Sequence, residues 1–112
     1  MSTINVTEDQ LTVRLSWLDK ALGLLPDQDV PRSAVTSVDV VPDGFAAVRG
    51  IRAPGSALPG RRVGTWRRPG ATRFVDVRKG QPAVSVGLRG RRYSELLLGT
   101  DDAEAIAERL RA

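Results

Sequence analysis

The 112-residue chain contains neither cysteine nor histidine. Without cysteine it can form no disulfide, offer no thiolate to zinc and use no cysteine nucleophile. Without histidine it lacks the commonest general base and the commonest transition-metal ligand. No paired carboxylates, activated hydroxyl or phosphate-binding loop takes their place. We therefore expect a protein that is not an enzyme and that needs no metal or other cofactor.

Aromatic residues and long apolar runs are also scarce. Aromatics make up 4% of the chain and are not interleaved with arginine, as a single-stranded nucleic-acid platform would require, so we expect no specific nucleic-acid partner. No apolar run approaches the ~20 residues of a spanning helix. The amino terminus, Met1 to Val6, lacks the basic start and apolar stretch of a signal peptide. We expect a cytoplasmic protein, with a peripheral position at the membrane as the alternative.

What is present suits one globular domain covering residues 1–112. Apolar residues account for 41% of the chain and charged residues for 27%, which is ordinary for a folded soluble domain. A chain of this length buries roughly two thirds of its unfolded surface around a single core. If its sheets are open, their edges must be covered or paired. Homo-oligomerisation is therefore one expectation.

Positive charge is concentrated in the middle of the chain. Residues 49–92 carry twelve bases and one acid, a net charge of +11, between an amino-terminal stretch of −4 and a carboxy-terminal stretch of −3. Fifteen of the seventeen bases are arginine. An overall charge of +4 with this distribution indicates an anionic partner, which could be a lipid head group, an acidic protein face or, less favoured, nucleic acid contacted without sequence preference. The alternative is a solvated, solubilising surface in a protein whose composition reflects a GC-rich genome.

Alternation of apolar and polar residues predicts six or seven short antiparallel strands. Turn residues such as Pro42-Asp43-Gly44 and Gly80-Gln81-Pro82 separate the later ones. In one strand Val75 and Val77 share a face, and in another Leu96 and Leu98 do. The predicted strands are 4–6, 11–15, 35–41, 62–67, 72–79, 83–88 and 93–99.

Two further segments have other periods. Phe45 to Gly60 loses all alternation and contains two Pro-Gly pairs, which predicts a shaped loop with successive tight turns. From Thr100 or Asp101 the apolar period becomes helical, because Ala103, Ile106, Ala107 and Leu110 fall on one stripe. Asp101 and Glu104 have capping-box spacing. A short helix or turn is also predicted over 17–22.

The order of these elements resembles the bacterial pleckstrin-homology-like (PH-like) domains. The resemblance is carried by Arg52-Ala53-Pro54-Gly55, Leu58-Pro59-Gly60, Gly64-Thr65-Trp66 and the helix opened by Thr100-Asp101-Asp102-Ala103-Glu104. It implies a mainly β fold, a barrel or sandwich of two bent antiparallel sheets capped by one carboxy-terminal α-helix. It also implies a non-catalytic binding or scaffold module.

In phosphoinositide-binding relatives the head group lies among basic residues of the first strands and their loop. Here that loop, Thr7 to Gln10, is acidic, which moves any anion site to the later arginines. We predict that a protein or peptide partner binds along a strand edge or the Pro-Gly loop, with anionic lipid as the alternative. Core positions are the competing interpretation for Trp17 and Trp66. The candidate contact residues are Arg52, Pro54, Gly55, Pro59, Gly60, Arg61, Arg62, Trp66, Arg67, Arg89, Arg91 and Arg92.

Overall fold

The computed structural model describes residues 2–15, 28–46, 51–58, 61–68 and 70–111. Within these residues the chain forms nine β-strands, one 3₁₀ turn at Arg32–Ala34 and one α-helix. The predicted helix or turn over 17–22, with Trp17, lies outside the described residues. The strands are β1 (Ser2–Val6), β2 (Gln10–Leu15), β3 (Gln28–Pro31), β4 (Val35–Val41), β5 (Ile51–Leu58), β6 (Arg61–Arg68), β7 (Ala71–Arg78), β8 (Ala83–Leu88) and β9 (Glu95–Gly99), and α1 is Ala103–Arg111.

The first three strands form a small antiparallel sheet in the order β1-β2-β3. The predicted amino-terminal hairpin is confirmed, with Ile4 opposite Val13 in its register. The N–H of Thr7 donates to the carbonyl of Gln10 across the turn at 2.9 Å. Strand β3 adds the buried Val30 opposite Leu11. The alternating apolar residues therefore give this sheet one buried face.

The remaining strands form a six-stranded sheet in the order β4-β8-β9-β7-β6-β5. Its two outer strands, β4 and β5, do not pair with each other, and within the described ranges no pairing closes either sheet into a barrel. The expected sandwich of two sheets is thus present in coarse form, without barrel closure.

The Pro-Gly segment is a strand for most of its length, so the prediction of a loop over 45–60 was wrong for 51–58. Strand β5 pairs antiparallel with β6, and its register shifts between Arg52 and Gly55, on either side of Pro54. Proline supplies no N–H to a ladder, and it is tolerated at edges and irregularities of sheets. The edge position of β5 and its register shift reconcile a Pro-Gly sequence with a strand.

One pair in the large sheet is parallel, which contradicts the expectation of purely antiparallel sheets. Strands β7 and β8 follow each other through a tight turn, yet β9 lies between them, parallel to β7 and antiparallel to β8. The central position of β9 is explained by the unbroken run Leu96-Leu97-Leu98, in which all three side chains are fully buried. A strand that is apolar on both faces belongs at the centre of a sheet with both faces covered.

The two faces of the large sheet carry separate hydrophobic clusters. Phe74, Leu96 and Leu98 lie in the larger cluster, with side chains of the small sheet and the helix. Val75 and Leu97 lie in the second cluster with Trp66, Val77 and Ala83. The predicted shared face of Val75 and Val77 is confirmed, as is that of Leu96 and Leu98.

Helix α1 buries its predicted stripe of Ala103, Ile106, Ala107 and Leu110, and the last three belong to the larger cluster. At its start the N–H of Asp102 donates to Oγ1 of Thr100 at 3.1 Å. Near its end Arg32 donates to the carbonyl of Arg109 at 2.6 Å. Arg111 donates to the carbonyl of Val38 in β4 at 3.0 Å. The result is a mainly β protein with one carboxy-terminal helix fixed against the core.

Candidate anion-binding surface

The structure divides the predicted arginines between internal pairs and an exposed loop. Arg61 is one of the internal group, because its Nη2 lies 3.3 Å from Oδ1 of Asp76. The Asp76 side chain is only 6% exposed, against 17% for Arg61. Asp76 is the one acid of residues 49–92, and its carboxylate thus has an arginine partner. This guanidinium offsets a buried carboxylate.

Arg62 and Arg73 are also engaged within the protein. The guanidinium of Arg62 lies 4.2 Å from the ring centroid of Phe45 and donates to the Phe45 carbonyl at 3.1 Å, a cation–π contact backed by a hydrogen bond. Arg73 is buried and forms an ion pair with Glu95 of the adjacent strand. These contacts fix the sheet and leave little of either side chain for a partner.

Trp66 lies in the core, as the competing interpretation held. It is 5% exposed and packs in the second cluster, so its ring offers no surface groove. Arg52, Pro54 and Gly55 belong to edge strand β5, while Pro59 and Gly60 lie outside the described residues. The contact role predicted for these five residues stays a prediction.

Three of the remaining candidates, Arg89, Arg91 and Arg92, lie on the connection between β8 and β9, which we call the basic loop (residues 89–92). Both of its stems are fixed by hydrogen bonds. The N–H of Leu88 donates to the carbonyl of Ser94 at 2.8 Å, and the N–H of Arg89 donates to the carbonyl of Ala34 at 2.9 Å. Ser94 and Thr72 also bond through both backbone and hydroxyl, at 2.9 to 3.1 Å. The loop is therefore held between the 3₁₀ turn at Arg32–Ala34 and the start of β7.

Tyr93 attaches the basic loop to the hydrophobic core. Its side chain is 2% exposed, and its ring meets that of Phe74 edge-on at 5.5 Å between centroids. Its hydroxyl lies 3.2 Å from Oγ1 of buried Thr65. An aromatic body in the core with its polar atom satisfied gives a firm attachment. The sequence signal for this anchor was a lone tyrosine directly after a basic turn.

Two of the loop arginines contact neutral groups of the protein, and these contacts do not neutralise their positive charge. Arg91 donates to the backbone carbonyl of Asp29 at 2.9 Å, while the Asp29 carboxylate is paired with Arg14 at 2.9 Å. The guanidinium of Arg92 lies 5.5 Å from the centroid of the Tyr93 ring. Residues 89–92 are all exposed. In the described part of the chain, no carboxylate forms an ion pair with Arg89, Arg91 or Arg92.

Arg67 adds a fourth exposed cation at this end of the molecule. It stands opposite Thr72 in the β6–β7 register, and Thr72 is hydrogen-bonded to Ser94 at the stem of the basic loop. We call the set Arg67, Arg89, Arg91 and Arg92 the basic end. The structure thus leaves these four predicted contact residues exposed, whereas Arg61, Arg62 and Trp66 are engaged within the fold.

A cleft lies at the opposite end, beside the start of α1. It has a volume of about 320 Å³ and is lined in part by Asp76, Arg78, Thr100, Asp101 and Ile106. Its charges are of both signs, and its most buried acid is already paired with Arg61. No described residues form a group of three or more carboxylate side chains that could hold a metal ion. The cleft presents no arrangement of nucleophile and base.

No helix among the described residues has the length and apolarity required to cross a bilayer. No family model, curated protein or solved structure matches the chain. A function for the chain is therefore inferred from the arrangement of its own side chains.

Proposed function

We propose that this chain is a non-catalytic binding module that holds an acidic segment of a partner protein against the basic end. The observation that carries the proposal is the unequal use of arginine. Arg61, Arg62 and Arg73 are engaged within the fold, whereas the loop arginines are exposed on a braced connection without a carboxylate partner among the described residues. Exposed, prepositioned guanidinium groups favour carboxylate or phosphate ligands.

The rigidity of the loop supports binding over a purely solubilising role. Ordering flexible side chains and loops on association costs free energy, so a braced loop loses less on binding. Here two strand stems, the Ser94–Thr72 bonds and the buried Tyr93 hold the backbone. A charged tip that only maintained solubility would need no such anchoring.

A protein partner is favoured over the anionic membrane that the sequence left as the alternative. The aromatic side chain of the loop region, Tyr93, is buried, so the described loop offers no apolar group to insert into lipid. Attachment would then rest on charge alone, at up to about 1 kcal/mol per arginine. Nucleic acid is less favoured again, because Trp66, Phe74 and Tyr93 are core residues and the other described aromatic, Phe45, is covered by the Arg62 guanidinium.

We extend the proposal to the family, and infer a small PH-like scaffold. Two sheets followed by a carboxy-terminal helix support this assignment. The parallel pairing of β7 with β9 is a departure from the antiparallel sheets that the resemblance implies. A binding role at the β8–β9 loop depends on the arginines described above and does not depend on the family.

The test is a fluorescence-anisotropy titration of a fluorescein-labelled peptide of alternating glutamate and glycine. Wild type is compared with Arg89→Ala/Arg92→Ala and with a matched control, Arg78→Ala/Lys79→Ala, which removes the same charge at the other end. Charge-assisted hydrogen bonds contribute about 1.5–3 kcal/mol each. We expect the loop variant to bind at least about tenfold more weakly, and the control to change affinity by less than about threefold.

Equal losses in both variants would mean that net charge alone sets the affinity, and the proposal would fail. Co-sedimentation with vesicles, with and without acidic lipid at ~0.15 M salt, addresses the alternative. Acid-lipid-dependent sedimentation lost in the loop variant, together with no peptide binding, would replace the protein partner with a membrane surface.

A further inference from the structure

We infer that the group bound by the basic loop is a phosphate monoester carried on a partner peptide. This inference rests on the proposed function and names the chemical group that the loop recognises. The first observation behind it is the backbone conformation of the loop, a feature separate from the exposed arginine side chains. Gly90 has φ +72°, in the left-handed region, directly between arginines.

The loop backbone supplies hydrogen-bond donors that the fold does not use. In the described structure the N–H groups of Gly90, Arg91 and Arg92 donate to no backbone carbonyl, whereas those of Arg89 and Ser94 on either side do. A left-handed residue within a turn directs successive N–H groups toward one side and forms a concave anion site. Three donors in succession suit a group with several acceptor oxygens.

Phosphate fits this donor set better than a single carboxylate does. A phosphate monoester carries a charge near −2 at neutral pH and three strong acceptor oxygens. The loop offers backbone N–H groups together with the guanidinium groups of Arg89, Arg91 and Arg92. Each guanidinium can bind two oxygens in a fork, which the ammonium of lysine cannot do. A carboxylate has only two oxygens and would leave part of this set unused.

The room around Gly90 allows the backbone contribution to be tested separately from the charges. A Cβ atom placed at Gly90 meets nothing within 4 Å, so a substitution there changes backbone preference without a steric clash. Asparagine tolerates the left-handed conformation, whereas a β-branched residue does not. Gly90→Asn is therefore the matched control for Gly90→Val, with the charge of the loop unchanged in both.

The experiment compares fluorescein-labelled peptides that are identical except for one position, occupied by phosphoserine, glutamate or serine. We expect wild type to bind the phosphoserine peptide at least tenfold more tightly than the glutamate peptide. Gly90→Val should lose most of this preference, and Gly90→Asn should retain it within about threefold. Arg91→Lys should also weaken phosphoserine binding, because charge without the fork is not sufficient. Thermal unfolding of each variant verifies that the domain remains folded.

Five outcomes would overturn the inference. Equal affinity for the glutamate and phosphoserine peptides would reject the phosphate group while leaving the proposed function intact, and binding of neither peptide would reject both. A phosphate preference that Gly90→Val retains in full would reject the backbone site. Tighter binding to vesicles containing phosphatidic acid, or displacement of the phosphopeptide by inorganic phosphate at equal concentration, would assign the site to lipid or to the free anion.

Discussion

Replacing Leu97 by alanine tests the central position of β9. If β9 had a single buried face, containing Leu96 and Leu98, the side chain of Leu97 would be exposed on the opposite face. In the structure Leu97 is fully buried in the second cluster. Leu→Ala removes three carbons at about 0.8 kcal/mol each, or roughly 2.4 kcal/mol, before the cavity contribution. We therefore expect a loss of about 3–5 kcal/mol in the free energy of unfolding.

The assay is urea unfolding followed by tryptophan fluorescence and circular dichroism, with the free energy taken from the midpoint and slope. Leu96→Ala is the matched variant, because Leu96 is equally buried on the opposite face. Its loss should fall in the same range of about 3–5 kcal/mol. Glu108→Ala, at an exposed helix position, should stay within about 0.5 kcal/mol of wild type. A loss below about 1 kcal/mol for Leu97→Ala would refute the two-faced packing of β9.

Two further substitutions test the polar contacts of the core. Asp76→Asn removes the buried charge opposite Arg61 and should cost about 3 kcal/mol in urea unfolding; a change under about 1 kcal/mol would mean that solvent already screens the pair. Tyr93→Phe keeps the ring packing but deprives the buried Thr65 hydroxyl of its 3.2 Å partner, so a loss of about 1–3 kcal/mol is expected. An unchanged midpoint for Tyr93→Phe would show that this hydrogen bond does not hold the loop.

Much of the fold could be predicted from local pattern. Period-two alternation located the hairpin of β1 and β2, and period 3.6 located α1, because both signals depend on neighbours close in sequence. The pairing of β9 could not be obtained in this way. Strand order depends on which strand faces must be buried. The informative residue was Leu97, because a strand with only one buried face would have a polar residue at this position. The edge strand over 51–58 was missed because Pro54 and Gly55 are typical turn residues.

The candidate site could be predicted only in part. Composition located the excess of positive charge in residues 49–92, but it could not separate guanidinium groups that fix the sheet from those that face solvent. That separation depends on partners from other strands. Arg61 of β6 pairs with Asp76 of β7, and Arg73 of β7 pairs with Glu95 of β9. The sequence also could not show that the Asp29 carboxylate, which lies near the basic loop, pairs with Arg14 and not with Arg91. Homo-oligomerisation through a sheet edge stays a prediction.

Amide chemical-shift mapping gives the most direct test of the central claim, that the basic end is the binding surface. The ¹⁵N-labelled protein is titrated with the acidic peptide at ~0.15 M salt, near a Debye length of about 8 Å. We predict saturable shifts at Gly90, Arg91, Arg92 and Arg67, with the amides at the start of α1 unchanged. Shifts confined to edge strand β5 or to the cleft beside α1, with the loop amides unmoved, would contradict the account.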